Sequence, residues 1–189
     1  MKLSLKLIAA LALASQISAC VPAVIGGAAA GGAIAADRRT SGVYVEDENI
    51  ELKAIKKIMD TLGEAAHVNI TSFKGNVLLT GEVPDAAAKT KAGDIAIATD
   101  SVRSVTNELT IGPKTSISSR TNDAYLTSKV KAQFVSENKF QANYVKVVTE
   151  NSVVYLLGIV TQKEADDAVE IARNTSGVTK VVKVFEYLP

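Results

Sequence analysis

Val77-Leu78-Leu79-Thr80-Gly81-Glu82-Val83 returns 77 positions later as Val154-Tyr155-Leu156-Leu157-Gly158-Ile159-Val160. The same offset relates Val68-Asn69-Ile70-Thr71 to Val145-Lys146-Val147-Val148. Past the glycine the offset becomes 76: Ile95-Ala96 matches Ile171-Ala172, and Val102, Val105 and Leu109 match Val178, Val181 and Phe185. Apolar blocks that recur in one order, with a single-residue indel between them, mark an internal repeat.

Each half predicts the same elements. Ile50, Ala54 and Ile58 in the first half, and Leu126, Val130 and Phe134 in the second, recur every four residues. That is the apolar stripe of a helix. The second of these helices is expected from Asp123 to about Asn138. Val68–Phe73 and Val145–Thr149 then read as strands. Lys74-Gly75-Asn76 and Glu150-Asn151-Ser152 are turn formers between β-rich runs, so each strand opens a hairpin. Val77–Val83 and Val153–Val160 supply the second hairpin strands. Pro84-Asp85 opens another helix, ending near Asp100. Thr161 and Glu164 open its counterpart with the spacing of a capping box, and Gly177 is a good helix stop. Final strands over 102–111 and 178–188 close the halves. The fold class is α+β, with two tandem αββαβ units at 46–112 and 122–189 and a linker at 113–121.

The N-terminus carries a different signal. Met1-Lys2-Leu3-Ser4-Leu5-Lys6 is basic, Leu7–Leu13 is apolar, and Ile17-Ser18-Ala19-Cys20 ends in small residues and the only cysteine. A basic start, a short apolar core and a small-residue cleavage site describe a signal peptide, residues 1–19. The cysteine after it resembles the lipobox of bacterial lipoproteins. That resemblance implies acyl chains on Cys20 and cleavage before it. One acyl chain binds a bilayer only marginally, but several hold a protein there. Val21 follows, not the aspartate that in this family often retains a lipoprotein at the inner membrane. The resemblance thus implies the outer membrane, with the body facing the periplasm. Residues 20–45 read as a lipidated tether rich in alanine and glycine. Its apolar run, Val21–Ala36, is short for a span needing about twenty residues. Arg38 and Arg39 could touch anionic headgroups or form a solvated charge pair.

Composition excludes several classes. The formal net charge is +1, with 21 basic and 20 acidic side chains, so no basic face for nucleic acid is implied. With one cysteine no intrachain disulfide can form. His67, the only histidine, has no histidine or cysteine partner in the pattern and reads as a surface or linker residue. Glu46-Asp47-Glu48 suits a solvated first helical turn, where acids favour the helix dipole. Gly26-Gly27 and Gly31-Gly32 follow no strand and make no phosphate loop. No catalytic constellation, metal site or cofactor is expected, and the chain does not read as an enzyme.

The order αββαβ, with its Val-x-Leu-x-Gly-x-Val central strand, resembles the BON domain, a small module of bacterial periplasmic and membrane-associated proteins. A lipobox followed by two such units is similar to the dual-BON outer-membrane lipoproteins linked to envelope integrity and division sites. Asn122–Val130 and Val145–Asn151 carry the closer match.

With Leu126, Val130 and Phe134 turned inward, helical spacing places Tyr125, Ser128, Lys129, Ala132 and Val135 outward, with Lys131 at the edge. Tyrosine has an apolar ring and a wet hydroxyl, and lysine can snorkel toward phosphate. This composition suits a bilayer interface; a solvated face with one exposed aromatic is the other reading. The family resemblance implies binding of anionic phospholipid, phosphatidylglycerol or cardiolipin, by this helix. Residues 46–111 carry net charge −4 and residues 122–189 net 0, so the second unit is the less repelled by an anionic surface. A structural or protein-facing role falls to the first. The runner-up reading is a module that docks an outer-membrane assembly or division protein.

Overall fold

A computed structural model describes residues 38–189. Cys20 and the expected signal peptide lie outside the described residues, as does the tether up to residue 37. The elements are α1 (Ser41–Leu62), a 3₁₀ turn, β1 (His67–Phe73), β2 (Asn76–Val83), α2 (Ala86–Ile97), β3 (Ser104–Asn107) and β4 (Thr110–Ile111). Then come α3 (Ile117–Glu137), a second 3₁₀ turn, β5 (Val145–Glu150), β6 (Val153–Val160), α4 (Gln162–Asn174) and β7 (Lys180–Tyr187). This is αββαβ twice, in two tandem α+β domains.

Local chemistry explains the boundaries. Thr40, Asp85 and Ser116 cap α1, α2 and α3 by accepting the amides of Val43, Ala88 and Ser119. Thr161 and Glu164 form the expected capping box on α4. The hairpin turns hold two residues each, Lys74-Gly75 and Asn151-Ser152, all with positive φ. Such left-handed pairs match the twist of the strands they join.

In each domain the second strand is central. β1 and β2 are antiparallel, as are β5 and β6, whereas β3 and β4 join β2 in parallel and β7 joins β6 in parallel. A helix makes each parallel crossover. The expected final strand at 102–111 is interrupted. Leu109 turns into the core, its amide donates to the Asn107 side-chain oxygen, and two short strands remain. In the second domain the strand runs unbroken.

One face of each central strand packs on its own two helices. Val77, Leu79 and Val83 meet Ile50, Ile58, Ala88, Ala92 and Ala96. Val154, Leu156 and Val160 meet Val130, Phe134, Ala165, Ala168 and Ile171. The opposite faces meet each other. Phe73 and Leu78 of the first domain cluster with Tyr155, Leu157 and Ile159 of the second. Each sheet is therefore covered on both sides, and the sequence reading had foreseen only the two helix-facing cores. Gly81 and Gly158 sit on these central strands where another backbone segment approaches closely. A Cβ on Gly81 would meet the His67 carbonyl, and one on Gly158 the Tyr144 carbonyl.

Candidate functional site

The helix α3 begins six residues before the expected Asp123. The linker foreseen at 113–121 is therefore helical from Ile117. Asp123, Leu126, Val130 and Phe134 are its buried residues. Asp123 accepts the amides of Asn151 and Ser152, pinning α3 to the tip of the second hairpin. Facing solvent are Tyr125 (63 % exposed), Val135 (67 %) and Ile117 (80 %), with Ser128, Lys131 and Ala132 between or beside them. Ile117 was missed because the helix was started too late. Its signal was present: Ser116 is a cap residue, and Ile117 stands one heptad before Ala124.

The lysines exchange the places expected of them. Lys131 is exposed, but Lys129 is half-buried, and its ammonium donates to the Ser176 carbonyl at 3.0 Å. The loop after α4 passes beside Lys129 and gives it a partner, which helical spacing alone could not register.

The chain before α1 also departs from expectation. The tether foreseen to residue 45 is folded from Arg38 onward, and neither arginine is a solvated headgroup contact. Arg38 makes a two-pronged pair with Glu164 at 2.8 Å, donates to the Ile159 carbonyl at 2.7 Å and lies 3.7 Å over the Tyr144 ring. This pair, led by the Arg38 hydrogen bond, holds the Glu164 carboxyl below its usual pKa against some burial. Arg39 is buried, 4.1 Å over the Phe73 ring, and pairs with Asp47 at 2.8 Å.

Asp47 is not on a solvated turn. It is buried and accepts the Ser72 hydroxyl and the Lys74 and Gly75 amides. Burial penalises its charge, but those donors and Arg39 outweigh it and keep the pKa below the ordinary carboxylate value. Asp47 and Asp123 are 76 positions apart and do the same work. Each lies three residues before the helix stripe, a regularity the sequence displays.

His67 belongs to neither surface nor linker. It opens β1 opposite Glu82, with Nδ1 3.0 Å from the Glu82 carboxylate. Thr115 donates its amide and hydroxyl to the same carboxylate. Across the domain boundary Glu150 accepts from the Asn69 amide at 2.8 Å. Its pKa is raised, first by burial, with the Glu82 charge adding to the effect. Donor atoms of His67, Glu82 and Glu150 all lie within 4.8 Å of one another.

These features stand on a fold with known relatives. The BON domain family matches residues 46–113 and 122–189, and the chain belongs to that family. It is 42% identical over 175 residues to the outer membrane lipoprotein DolP of Haemophilus influenzae, covering 91% of this chain and 90% of that one. It is 34% identical to a protein of Actinobacillus pleuropneumoniae named as a 21 kDa hemolysin, covering 80% and 79%. The chain is thus an outer-membrane lipoprotein of the BON class. Among the described residues no helix is long and apolar enough to cross a membrane.

Proposed function

We propose that this chain, anchored through acylated Cys20 and facing the periplasm, binds anionic phospholipid through the outward face of α3. In this reading it is not an enzyme, and it supports envelope integrity, including at division sites. The observation that carries the reading is one helix face bearing Ile117, Tyr125 and Val135 in the open, small residues between them and Lys131 beside them. Apolar groups that protrude singly from such a helix can enter the interfacial layer. A nearby lysine gains about 1 kcal/mol against an anionic surface. Tyr125 adds a ring that favours the boundary between hydrocarbon and water.

The test is sedimentation with vesicles. The protein carrying Cys20→Ser pellets with phosphatidylglycerol or cardiolipin vesicles and stays in the supernatant with phosphatidylcholine. Retention in the supernatant with all three removes the lipid reading.

A second reading has its own support. On α1, Val45, Leu52 and Met59 are exposed at seven-residue intervals, a straight apolar line suited to a partner helix. If it docks an outer-membrane assembly or division protein, Leu52→Asp abolishes that association and leaves vesicle binding intact.

A further inference from the structure

The two halves of the repeat pack through the free faces of their sheets, and their counterparts can be compared residue by residue. The strand offset of 77 makes Tyr144 the counterpart of His67, Ile159 that of Glu82, and Glu150 that of Phe73. The helix caps Thr40 and Ser116 are 76 apart, so Thr115 is the counterpart of Arg39.

One end of the domain interface is built from Tyr144, Ile159 and Phe73 and is covered by guanidinium groups. Arg38 lies over Tyr144 and bonds the Ile159 carbonyl, and Arg39 lies over Phe73. At the other end the same three positions hold His67, Glu82 and Glu150. There the covering residue is Thr115, which brings a hydroxyl and an amide but no charge. Glu82 (4 % exposed) and Glu150 (7 %) are buried, and among the described residues neither pairs with a lysine or arginine. Arg120 lines the open cleft of about 360 Å³ beside His67 and Glu150, but its guanidinium donates to the Thr115 carbonyl. Lys114, the counterpart of Arg38 by the same offset, is exposed, and among the described residues it forms no ion pair with either carboxylate, so that end lacks the buried guanidinium that its counterpart receives from the chain.

We propose that His67, Glu82 and Glu150 bind a divalent transition-metal ion of the zinc class, which fastens the two domains together. One imidazole nitrogen and two carboxylate oxygens suit zinc and disfavour magnesium and calcium, which take oxygen-only shells. Ligands of a tetrahedral ion at about 2.0–2.2 Å stand roughly 3.3–3.5 Å apart. Donors already within 4.8 Å need to close by about 1.5 Å at most. Asn69 and Thr115 donate to the two carboxylates and so orient them, as groups around metal ligands do. A fourth position remains for water from the cleft.

The experiment uses the full chain carrying Cys20→Ser, which removes the one thiol able to bind zinc. After chelation it is titrated with zinc chloride by calorimetry, and thermal unfolding is followed in parallel. One zinc per chain and a raised Tm are expected, with magnesium and calcium giving no rise. His67→Ala and Glu150→Gln each weaken zinc binding at least tenfold and remove the rise in Tm. Thr115→Arg restores the counterpart guanidinium. It weakens zinc binding to the same degree while circular dichroism shows a folded chain. Absence of zinc binding by the parent protein overturns the proposal, as does wild-type affinity in Glu150→Gln or in Thr115→Arg.

Discussion

The first domain's central strand presents Leu78, Thr80 and Glu82 to the domain boundary, where the second presents Tyr155, Leu157 and Ile159. The two strands share register, a glycine of close approach and a helix-facing core. They differ on the face that the repeat itself does not constrain. There one strand is apolar and the other carries polar groups, because each only has to satisfy what lies opposite. The chain segments ahead of the first helices diverged in step: arginines cover the apolar and aromatic end, and Thr115 covers the carboxylates. A duplicated domain thus keeps its own core constant and specialises where it touches its twin.

The strongest way to break this parallel is to remove the aspartates that tie each first helix to its hairpin. Asp47→Ala removes the buried Arg39 ion pair together with the Ser72, Lys74 and Gly75 hydrogen bonds and costs about 3–5 kcal/mol. Asp123→Ala loses two amide acceptances and costs about 1–3 kcal/mol. Urea unfolding of both variants checks the order. Equal losses would mean that neither the Arg39 pair nor the Ser72 hydrogen bond adds to the first domain.

Next comes the shared face. Leu157→Ala opens a cavity at the boundary and costs about 2–5 kcal/mol, whereas its counterpart change Thr80→Ala costs about 1 kcal/mol. If the apolar cluster joins the domains, Leu157→Ala also splits one unfolding transition into two. A calorimetric trace with a single narrow peak would argue against that joining.

The carboxylates respond to acid in opposite senses. Asp47 has a depressed folded pKa. Its stabilisation is complete above the unfolded value of about 3.9 and is lost as pH falls through the folded value. Glu150 has a raised folded pKa. Its neutral form suits the folded state, so its favourable share is present below about 4.3 and is lost as pH rises through the folded value. In chelator, urea midpoints between pH 3 and 8 should flatten at the acid end for Asp47→Asn. For Glu150→Gln they should flatten above pH 4.

The smallest effects concern the membrane face. Tyr125→Asp weakens binding to phosphatidylglycerol vesicles several-fold with the fold intact. Lys131→Glu acts in the same direction, by about 1–2 kcal/mol at low salt, and loses its effect as salt screens the charge. Lys53→Glu on α1 leaves vesicle binding unchanged. Wild-type binding by Tyr125→Asp would shift the functional weight to the stripe on α1.

Much of this could be read along the chain because it is periodic. The helix stripes, the Val-x-Leu-x-Gly-x-Val strand, the turn pairs and the Thr161–Glu164 box each rest on contacts between near neighbours, whose geometry follows from rise and repeat alone. The outward placement of Tyr125 came from the same periodicity, by exclusion from the buried stripe. Less could be read where a partner comes from far away. Asp47 and Arg39 look like ordinary charged surface until hairpin and helix close on them. Lys129 looks free until the loop at Ser176 arrives.

Local order was therefore written in residue types and spacing, because it depends on atoms a few residues apart, and the repeat was legible because the same local pattern occurs twice. The pairing of the two sheets was not. Burial of a strand's second face, and the gathering of His67, Glu82 and Glu150 from three strands, depend on long-range packing. Alternation along one strand tells that its two sides differ, and in β6, where both sides are apolar, it does not tell which surface the second side will meet.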